Sequence, residues 1–505
     1  MQIEYGQHQK DTIAFQQIQP YSICALQTGV GKTVTTIGSE LVNLQTKKLD
    51  KCIFVCTKSS LPEVLNDYNK FYKFTPKQLN SEKAIDDFFQ SDSSIAVTRY
   101  EWLKYFNIDK MSSYTSSNKL GMWWDEAQRL KNVNTRAHKY AKELRQYCSA
   151  FHAVTATPIM TKLDDLWGLM EVVDDSVLKD FDTFCDNFYE RKLVPHPKVN
   201  RRKKTCPTCG CRLTYSNGWD YCTNPYCKSI ETPMGYVPFR KKIKSIWELI
   251  EYKNIDVLSK IMRKNMFCFY PEQDIQYHVH NYDLSSDEES KYIAIAKDTI
   301  EKVDSGKDDT PFATRLIQLQ YLVDRSLAKR QKLYQLANVI KEKGFVLYVP
   351  FYESLAQVED TLKYVQDLEI RTYSGKDVDE DKDKNKAWFQ KDPKNKCLII
   401  TQAGGASLNL QVTNQMIFYG LPNGFGAISQ AIGRVVRLFS SFKTFHIHFL
   451  LNEHTVDKYK YVCFLMYDEI IRSLMNNKMI KLEKPINFNN DIKAEIRRDV
   501  CWRST

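Results

Sequence analysis

Leu26-Gln27-Thr28-Gly29-Val30-Gly31-Lys32-Thr33 is the stretch whose reading decides the fold. The apolar run Tyr21 to Leu26 before it predicts a buried strand. Val34 to Leu44 after it predicts a helix with Ile37, Leu41 and Leu44 on one face. A glycine-containing turn between a strand and a helix N-terminus aims several backbone N–H groups at one point. Thr28, Gly29 and Gly31 form that turn, Lys32 adds a point charge, and the Thr33 hydroxyl is placed to hold Mg²⁺. Together they suit a phosphate group. Leu26 stands where the full pattern has its first glycine, so a structural glycine turn is the competing reading.

At 505 residues and 43% hydrophobic composition the chain is long enough for more than one domain with an ample core. Its formal net charge of +11 favours a polyanionic partner, although basic chains are also simply soluble. No apolar run reaches membrane-spanning length, and the first residues lack the basic-then-apolar layout of a signal peptide. A cytoplasmic protein is expected, in the host cytoplasm if the gene is viral, with no membrane partner. Of the 14 cysteines, Cys206, Cys209, Cys211, Cys222 and Cys227 crowd into one stretch, which suggests a reducing compartment and one metal site.

Gln9 opens the chain as a candidate reader of an adenine edge, because an amide both donates and accepts; a plain surface glutamine is the alternative. Cys52–Cys56 predicts a second buried strand ending in Thr57-Lys58-Ser59-Ser60. Ile95–Thr98 predicts a third, ending in Arg99. Lys58, Ser59 and Arg99 would line phosphate contacts along one sheet edge, unless the hydroxyls only cap helices. The strand Leu120–Trp124 runs into Asp125 and Glu126. Two adjacent carboxylates at a strand end suit a Mg-nucleotide site, Asp125 holding the metal and Glu126 polarising the attacking water. Ala153–Pro158 closes on threonines that would couple this site to a nucleic-acid track. In the second half, Gly404 and Gly405 would let the backbone approach a phosphate. Gln430, Arg434 and Arg437 fall at helical spacing on nearly one face, which in isolation reads as a solvated face.

Cys206, Cys209, Cys222 and Cys227 form a C-x2-C…C-x4-C set, the spacing of a closed tetrahedral Zn²⁺ site; reduced free cysteines are the alternative, and Cys211 is read as a non-ligand. Arg201, Arg202, Lys203 and Lys204 precede the set and Arg240–Lys244 follow it, with Tyr215, Trp219, Tyr221 and Tyr226 between. Basic residues interleaved with aromatics suit nucleic acid, against a solvated face on a structural ribbon.

Six stretches together resemble the superfamily 2 helicases, and within them the Swi/Snf-type double-stranded DNA translocases. They are TGVGKT (28–33), DEAQRLKN (125–132), TATPIMTKLDDLWGLMEVV (155–173), LSKIMRKNMFCF (258–269), TQAGGASLNLQ (401–411) and QAIGRVVR (430–437). The cysteine segment is similar to the zinc ribbons at the ends of bacterial type I topoisomerases. The resemblance implies an α/β fold of two RecA-like parallel-sheet lobes, with ATP and DNA bound across the cleft and a zinc-ribbon insertion in or after the first lobe. The expected divisions are lobe 1 at 1–190, the ribbon with basic flanks at 191–245, a return to lobe 1 at 246–277, a helical approach to lobe 2 at 278–330, lobe 2 at 331–475 and a tail at 476–505.

The implied activity is that of an ATP-dependent translocase on double-stranded or branched DNA, with ATP, Mg²⁺ and Zn²⁺ as cofactors and recombination or repair as its setting. Lys32 and Gln430 join the ATP site, and Arg434 and Arg437 act as arginine fingers on the γ-phosphate. A strand-separating DNA or RNA helicase is the nearest alternative; a zinc-dependent binding module with a vestigial ATPase is the alternative from another class. Gln27-Thr28 before Gly29, Leu438-Phe439 after the last arginine and the missing Trp-Asn-Pro depart from the family pattern. These departures point to a compact phage or bacterial enzyme and away from nucleosome remodellers.

Overall fold

In the computed structural model the described residues are 4–160, 163–195, 213–216, 219–222, 238–241, 245–305, 312–401, 408–422, 424–438 and 440–476. Short, nearly continuous apolar runs are what strands covered on both faces require. Such runs form most of β1 (Tyr21–Leu26), β2 (Lys51–Cys56), β4 (Ile95–Arg99), β5 (Leu120–Trp124) and β6 (Ala150–Thr155), with the exposed β3 (Lys77–Gln78) at the edge. β7 (Tyr189–Pro195), β8 (Leu213–Ser216), β9 (Trp219–Cys222), β10 (Pro238–Lys241) and β11 (Ser245–Tyr252) follow, then β12 (Met266–Phe269) and β13 (Asp274–Asn281). The second half adds β14 (Phe345–Val349), β15 (Glu369–Tyr373), β16 (Lys396–Thr401), β17 (Gln415–Phe418) and β18 (Thr444–Leu451).

These strands build two parallel sheets with helices on both faces. Lobe 1 has the order β12-β1-β6-β5-β2-β4-β3 and lobe 2 the order β13-β18-β17-β14-β16-β15. Because every pairing in a lobe is parallel, all strand C-termini share one edge, where ligands of such sheets bind. Along that edge of lobe 1 the loops come in the order phosphate loop, Thr155–Thr157, Asp125–Glu126, Lys58–Ser59 and Arg99.

The insertion stands on an antiparallel ribbon, β7 against β11, paired from Tyr189 with Tyr252 to Pro195 with Ser245, with a one-residue shift of register between Leu249 and Glu251. β8, β9 and β10 form a small antiparallel sheet within it. Cys222 ends β9. Cys206, Cys209 and Cys227, and the cluster Arg201–Lys204, lie outside the described residues, as do Gly404 and Gly405.

The chain crosses between lobes after β12. Sequence reading puts the changeover between Gln276 and His278. The structure pairs β13 over its whole length with β18, Asp274 with Thr444 through Asn281 with Leu451, so these residues already belong to the second sheet. Their alternating pattern is that of an edge strand, which lacks the unbroken apolar run of the central ones.

In lobe 2, Lys329 is fully buried, its Nζ 2.8 Å from Asp324 and 3.0 Å from Asp457. Tyr282, Gln320 and Ser354 complete the hydrogen bonds of the two carboxylates. This cluster ties the helices Phe312–Asp324 and Leu327–Ile340 to the helix Val456–Asn476.

β13 and β18 also carry a ladder of four imidazoles. His278 Nε2 lies 3.0 Å from His446 Nδ1, and His280 Nε2 lies 3.0 Å from His448 Nδ1. Gln415 Oε1, 3.0 Å from His448 Nε2, is an acceptor, so His448 carries its proton on Nε2 and takes a hydrogen bond from His280 on Nδ1. Burial first, then the neighbouring imidazoles, pushes His448 down to about 3, and His280 and His446 are lowered as well. Lys332 and Lys343 add repulsion, and Asp274 partly offsets it.

His448 is neutral in the fold and has an ordinary value of 6.5, and His280 and His446 are shifted in the same direction. Their stabilising contribution is therefore complete above about 6.5 and is lost as pH falls below it, at up to about 1.4 kcal/mol per pH unit for each proton taken up. Unfolding from pH 7 to pH 5 should show this loss, and His448→Gln should flatten the slope. An unchanged slope in that variant would contradict the role given to the ladder.

Candidate active site

The turn between β1 and the helix Lys32–Gln45 holds Gly29 at φ 82° and Gly31 at φ 83°, a region in which a side chain is strained. Gly31 is the helix N-cap and brings no side chain, so the first N–H groups face the site uncapped. His8, which sequence reading passed over, braces the turn from behind. Its Nε2 lies 2.9 Å from Val30 O and its ring stacks on Phe269 at 4.3 Å. Gln9 reaches the same turn. Its Oε1 accepts from Gly6 N at 2.9 Å and its Nε2 faces Gly31 O at 3.5 Å, so reading a base edge requires the Gly6 bond to exchange.

Asp125 and Glu126 emerge from β5, two strands away from β1 in the sheet. Tyr100 Oη donates to Asp125 O at 2.9 Å, and Glu126 sits in the left-handed region at φ 51°, which turns its side chain out of the strand path. Burial, then the neighbouring Glu126, pushes Asp125 up to about 7, against the pull of Lys32. Burial acts on Glu126 in the same direction, but Lys32, a hydrogen bond from Gln128, Arg434 and Arg129 outweigh it and hold Glu126 below its ordinary range. Two adjacent carboxylates pushed apart in this way take different roles, Glu126 staying ionised. Lys32 is itself lowered, by burial first, while both carboxylates hold it up.

A polar chain leads away from Glu126. Gln128 Nε2 donates to Glu126, and Thr155 Oγ1 donates to Gln128 Oε1 at 2.6 Å. Thr157 N donates to Thr155 Oγ1 at 3.0 Å, and Gln430 Nε2 of lobe 2 donates to Thr157 Oγ1 at 3.3 Å. Glu126 is thus joined to the other lobe by consecutive hydrogen bonds. The threonines are legible in the sequence as a coupling element. Gln128 is not, because an amide two residues beyond an acid pair carries no signal of its own.

Arg434 lies in the last turn of the helix Phe425–Val435, and Val436 is extended at φ −79°, ψ 107°. Arg437 therefore lies beyond the helix, which corrects the reading that Gln430, Arg434 and Arg437 share one helical face. Its stem crosses the phosphate loop, since a Cβ on Gly29 would collide with Arg437 Cδ. Its Nη2 donates to Leu408 O at 2.7 Å. Burial pushes Arg437 down to about 10, with Arg434 adding repulsion; Arg434 is lowered by burial while Glu126 and Glu63 favour its charge. The Nε atoms of both are buried without a hydrogen-bond partner. Unpaired guanidinium N–H groups of like charge at one place are costly unless an anion fills the gap. With the uncapped helix N-terminus and Lys32, this donor set fits a polyphosphate, and Thr33 with Asp125 offers oxygen ligands of the kind Mg²⁺ takes.

Lys58 and Ser59 are exposed at the end of β2, with Thr57 and Ser60 exchanging hydrogen bonds behind them. Arg99 ends the adjacent β4, paired in register with Cys56, and its guanidinium stacks on Trp102 at 3.8 Å. The topology thus brings Lys58 and Arg99 to one edge. Among the described residues no group of three or more His, Cys, Asp or Glu side chains is arranged to hold a metal ion, and no helix is long and apolar enough to cross a membrane.

The chain is similar to several known proteins. An uncharacterized ATP-dependent helicase of Bacillus subtilis, YqhH, is 24% identical over 383 residues, covering 74% of this chain and 61% of that protein. An uncharacterized ATP-dependent helicase of Mycoplasma pneumoniae is 21% identical over 86% of this chain and 38% of its own length. The chain thus spans less than two thirds of the length of each of these relatives. Among solved structures, the Sulfolobus solfataricus SWI2/SNF2 ATPase core in complex with dsDNA aligns over 94% of this chain and 93% of that chain, at 17% identity and a TM-score of 0.39. The helicase conserved C-terminal domain matches residues 328–439. Since the SNF2-related domain matches residues 16–323, more than half of the sequence, the chain belongs to the SNF2-related family.

Proposed function

We propose that this chain is an ATP-hydrolysing translocase that moves along duplex or branched DNA. The observation that carries the reading is the meeting of Lys32, Asp125 and Glu126 from one lobe with Arg434 and Arg437 of the other, whose buried Nε atoms lack partners. Lys32 and the uncapped N–H groups bind the phosphates of ATP, with Gln9 beside them. Glu126, held ionised, orients the attacking water, and Arg434 and Arg437 stabilise charge on the transferred phosphoryl group. Mg²⁺ held by Thr33 and Asp125 supplies further neutralisation of phosphate charge. The chain from Glu126 through Gln128, Thr155 and Thr157 to Gln430 gives hydrolysis a route to lobe movement.

DNA is the polyanion best matched to a net charge of +11 and to Lys58, Ser59 and Arg99 at the shared edge, with Gly404 and Gly405 taking the phosphate contacts of lobe 2. We assign Zn²⁺ to Cys206, Cys209, Cys222 and Cys227 on the strength of their spacing. Arg201, Arg202, Lys203 and Lys204, which precede this set in sequence, add phosphate contacts to DNA. Metal analysis of the purified protein should find about one zinc per chain, lost in Cys222→Ser; a wild type without zinc would remove this assignment.

Triplex displacement on blunt duplex tests the movement. The expected result is ATP-dependent release of the third strand with the underlying duplex intact. Separation of tailed duplexes without triplex release would make the chain a strand-separating helicase. Binding without either would leave a nucleic-acid-binding module.

A further inference from the structure

The helix Phe425–Val435 carries Gly426 and Gly433 two turns apart, both turned toward lobe 1. Neither has a positive φ, so backbone conformation does not demand glycine, and glycine is a poor helix former. Space explains both. A Cβ on Gly433 would stand 2.7 Å from Thr28 Cβ and 3.1 Å from Thr28 Cγ2, and closer still to Thr28 Oγ1. A Cβ on Gly426 would collide with Sδ and Cε of Met160 and come within 3.3 Å of its Cα. Gly426 N donates to Met160 O at 3.2 Å, and Gln430 between the two glycines bonds Thr157. The two obstacles are unequal. The end of the Met160 side chain can swing aside, whereas Thr28 Cβ is fixed to the backbone of the phosphate loop.

We propose that Gly433 is the positioning residue that sets how far the lobes close. Bare helix backbone at Gly433 seats on Thr28, and this contact carries Arg434, the next residue, and Arg437 to the phosphate loop. A side chain at position 433 holds the helix off the loop by on the order of 1 Å. In a catalytic arrangement such a displacement costs roughly 10²-fold in rate. The inference rests on the ATPase reading for its effect on turnover, but the contact itself stands apart from it.

Gly433→Ala replaces a glycine inside a helix with the best helix former, so the helix is not endangered. With saturating duplex DNA, its turnover should fall roughly 10²-fold while its affinity for a fluorescent N-methylanthraniloyl ATP changes by less than about 3-fold, a loss in kcat that spares binding. Because the clash also destabilises the closed arrangement, more of the variant should populate open arrangements, and small-angle scattering should show it more extended than wild type. Thr28→Gly clears the obstructing atoms from the other side. The double variant Thr28→Gly/Gly433→Ala should therefore turn over at least about tenfold faster than the product of the two single effects predicts. Wild-type turnover in Gly433→Ala, or a double variant no better than that product, would overturn the proposal. If the wild type hydrolyses no ATP, the ATPase reading fails alone: greater extension of Gly433→Ala would still support the closure contact, and identical scattering would overturn it.

Discussion

Glu126→Gln is expected to bind ATP with near-normal affinity and to lose roughly 10²–10⁴ in turnover, the range that general-base removal spans. The amide is nearly the same size and keeps the geometry, but it cannot accept a proton from water or carry the charge that Lys32, Arg434 and Arg129 stabilise in Glu126. It would still meet Gln128, so the chain to Gln430 is disturbed less than the chemistry is. Nucleotide binding by equilibrium fluorescence and single-turnover hydrolysis separate the two effects. A Glu126→Gln protein with normal single-turnover rates would move the water-orienting role elsewhere, Asp125 being the obvious neighbour.

Arg437→Ala should lower turnover by about 10³ or more while leaving DNA affinity within a few fold, as loss of an arginine finger does. The side chain spans the phosphate loop over Gly29 and is anchored at Leu408 O, with its Nε unpaired. That arrangement faces the phosphate loop and not the outer edge where Lys58 and Arg99 stand. Removing Arg437 also relieves its repulsion with Arg434, so ATP affinity should change little. The informative measurement is turnover per DNA-bound complex beside DNA affinity across a salt series. A variant that lost DNA affinity but kept its per-complex rate would place Arg437 on the DNA track.

The parts of the site legible in sequence are those whose meaning is contiguous. Strand, turn and helix follow one another at Tyr21–Gln45, and β5 ends directly on Asp125 and Glu126. What sequence order hides is spatial order. The Thr155 loop lies between the phosphate loop and the acid pair because β6 lies between β1 and β5, and nothing in the residues of β6 announces that place. Spacing alone carries the helix on to Arg437, two residues past its last helical residue, Val435. The run Val435-Val436 ends the helix in an extended turn, and β-branched residues hold helical conformation weakly. Lys329 looks like a surface lysine of a polar helix until Asp457, 128 residues away, is placed against it. The imidazole ladder likewise joins residues 168 apart. Gly433 reads as an ordinary member of its motif; only the position of Thr28 across the cleft shows what a Cβ would strike.

ATP hydrolysis by the purified chain, followed with and without blunt duplex DNA at fixed salt, tests the central claim most directly. The account predicts slow hydrolysis alone and strong stimulation by duplex that weakens as salt rises, since the proposed DNA contacts are chiefly to phosphates. Hydrolysis that is absent under both conditions, or equal in both, would contradict it.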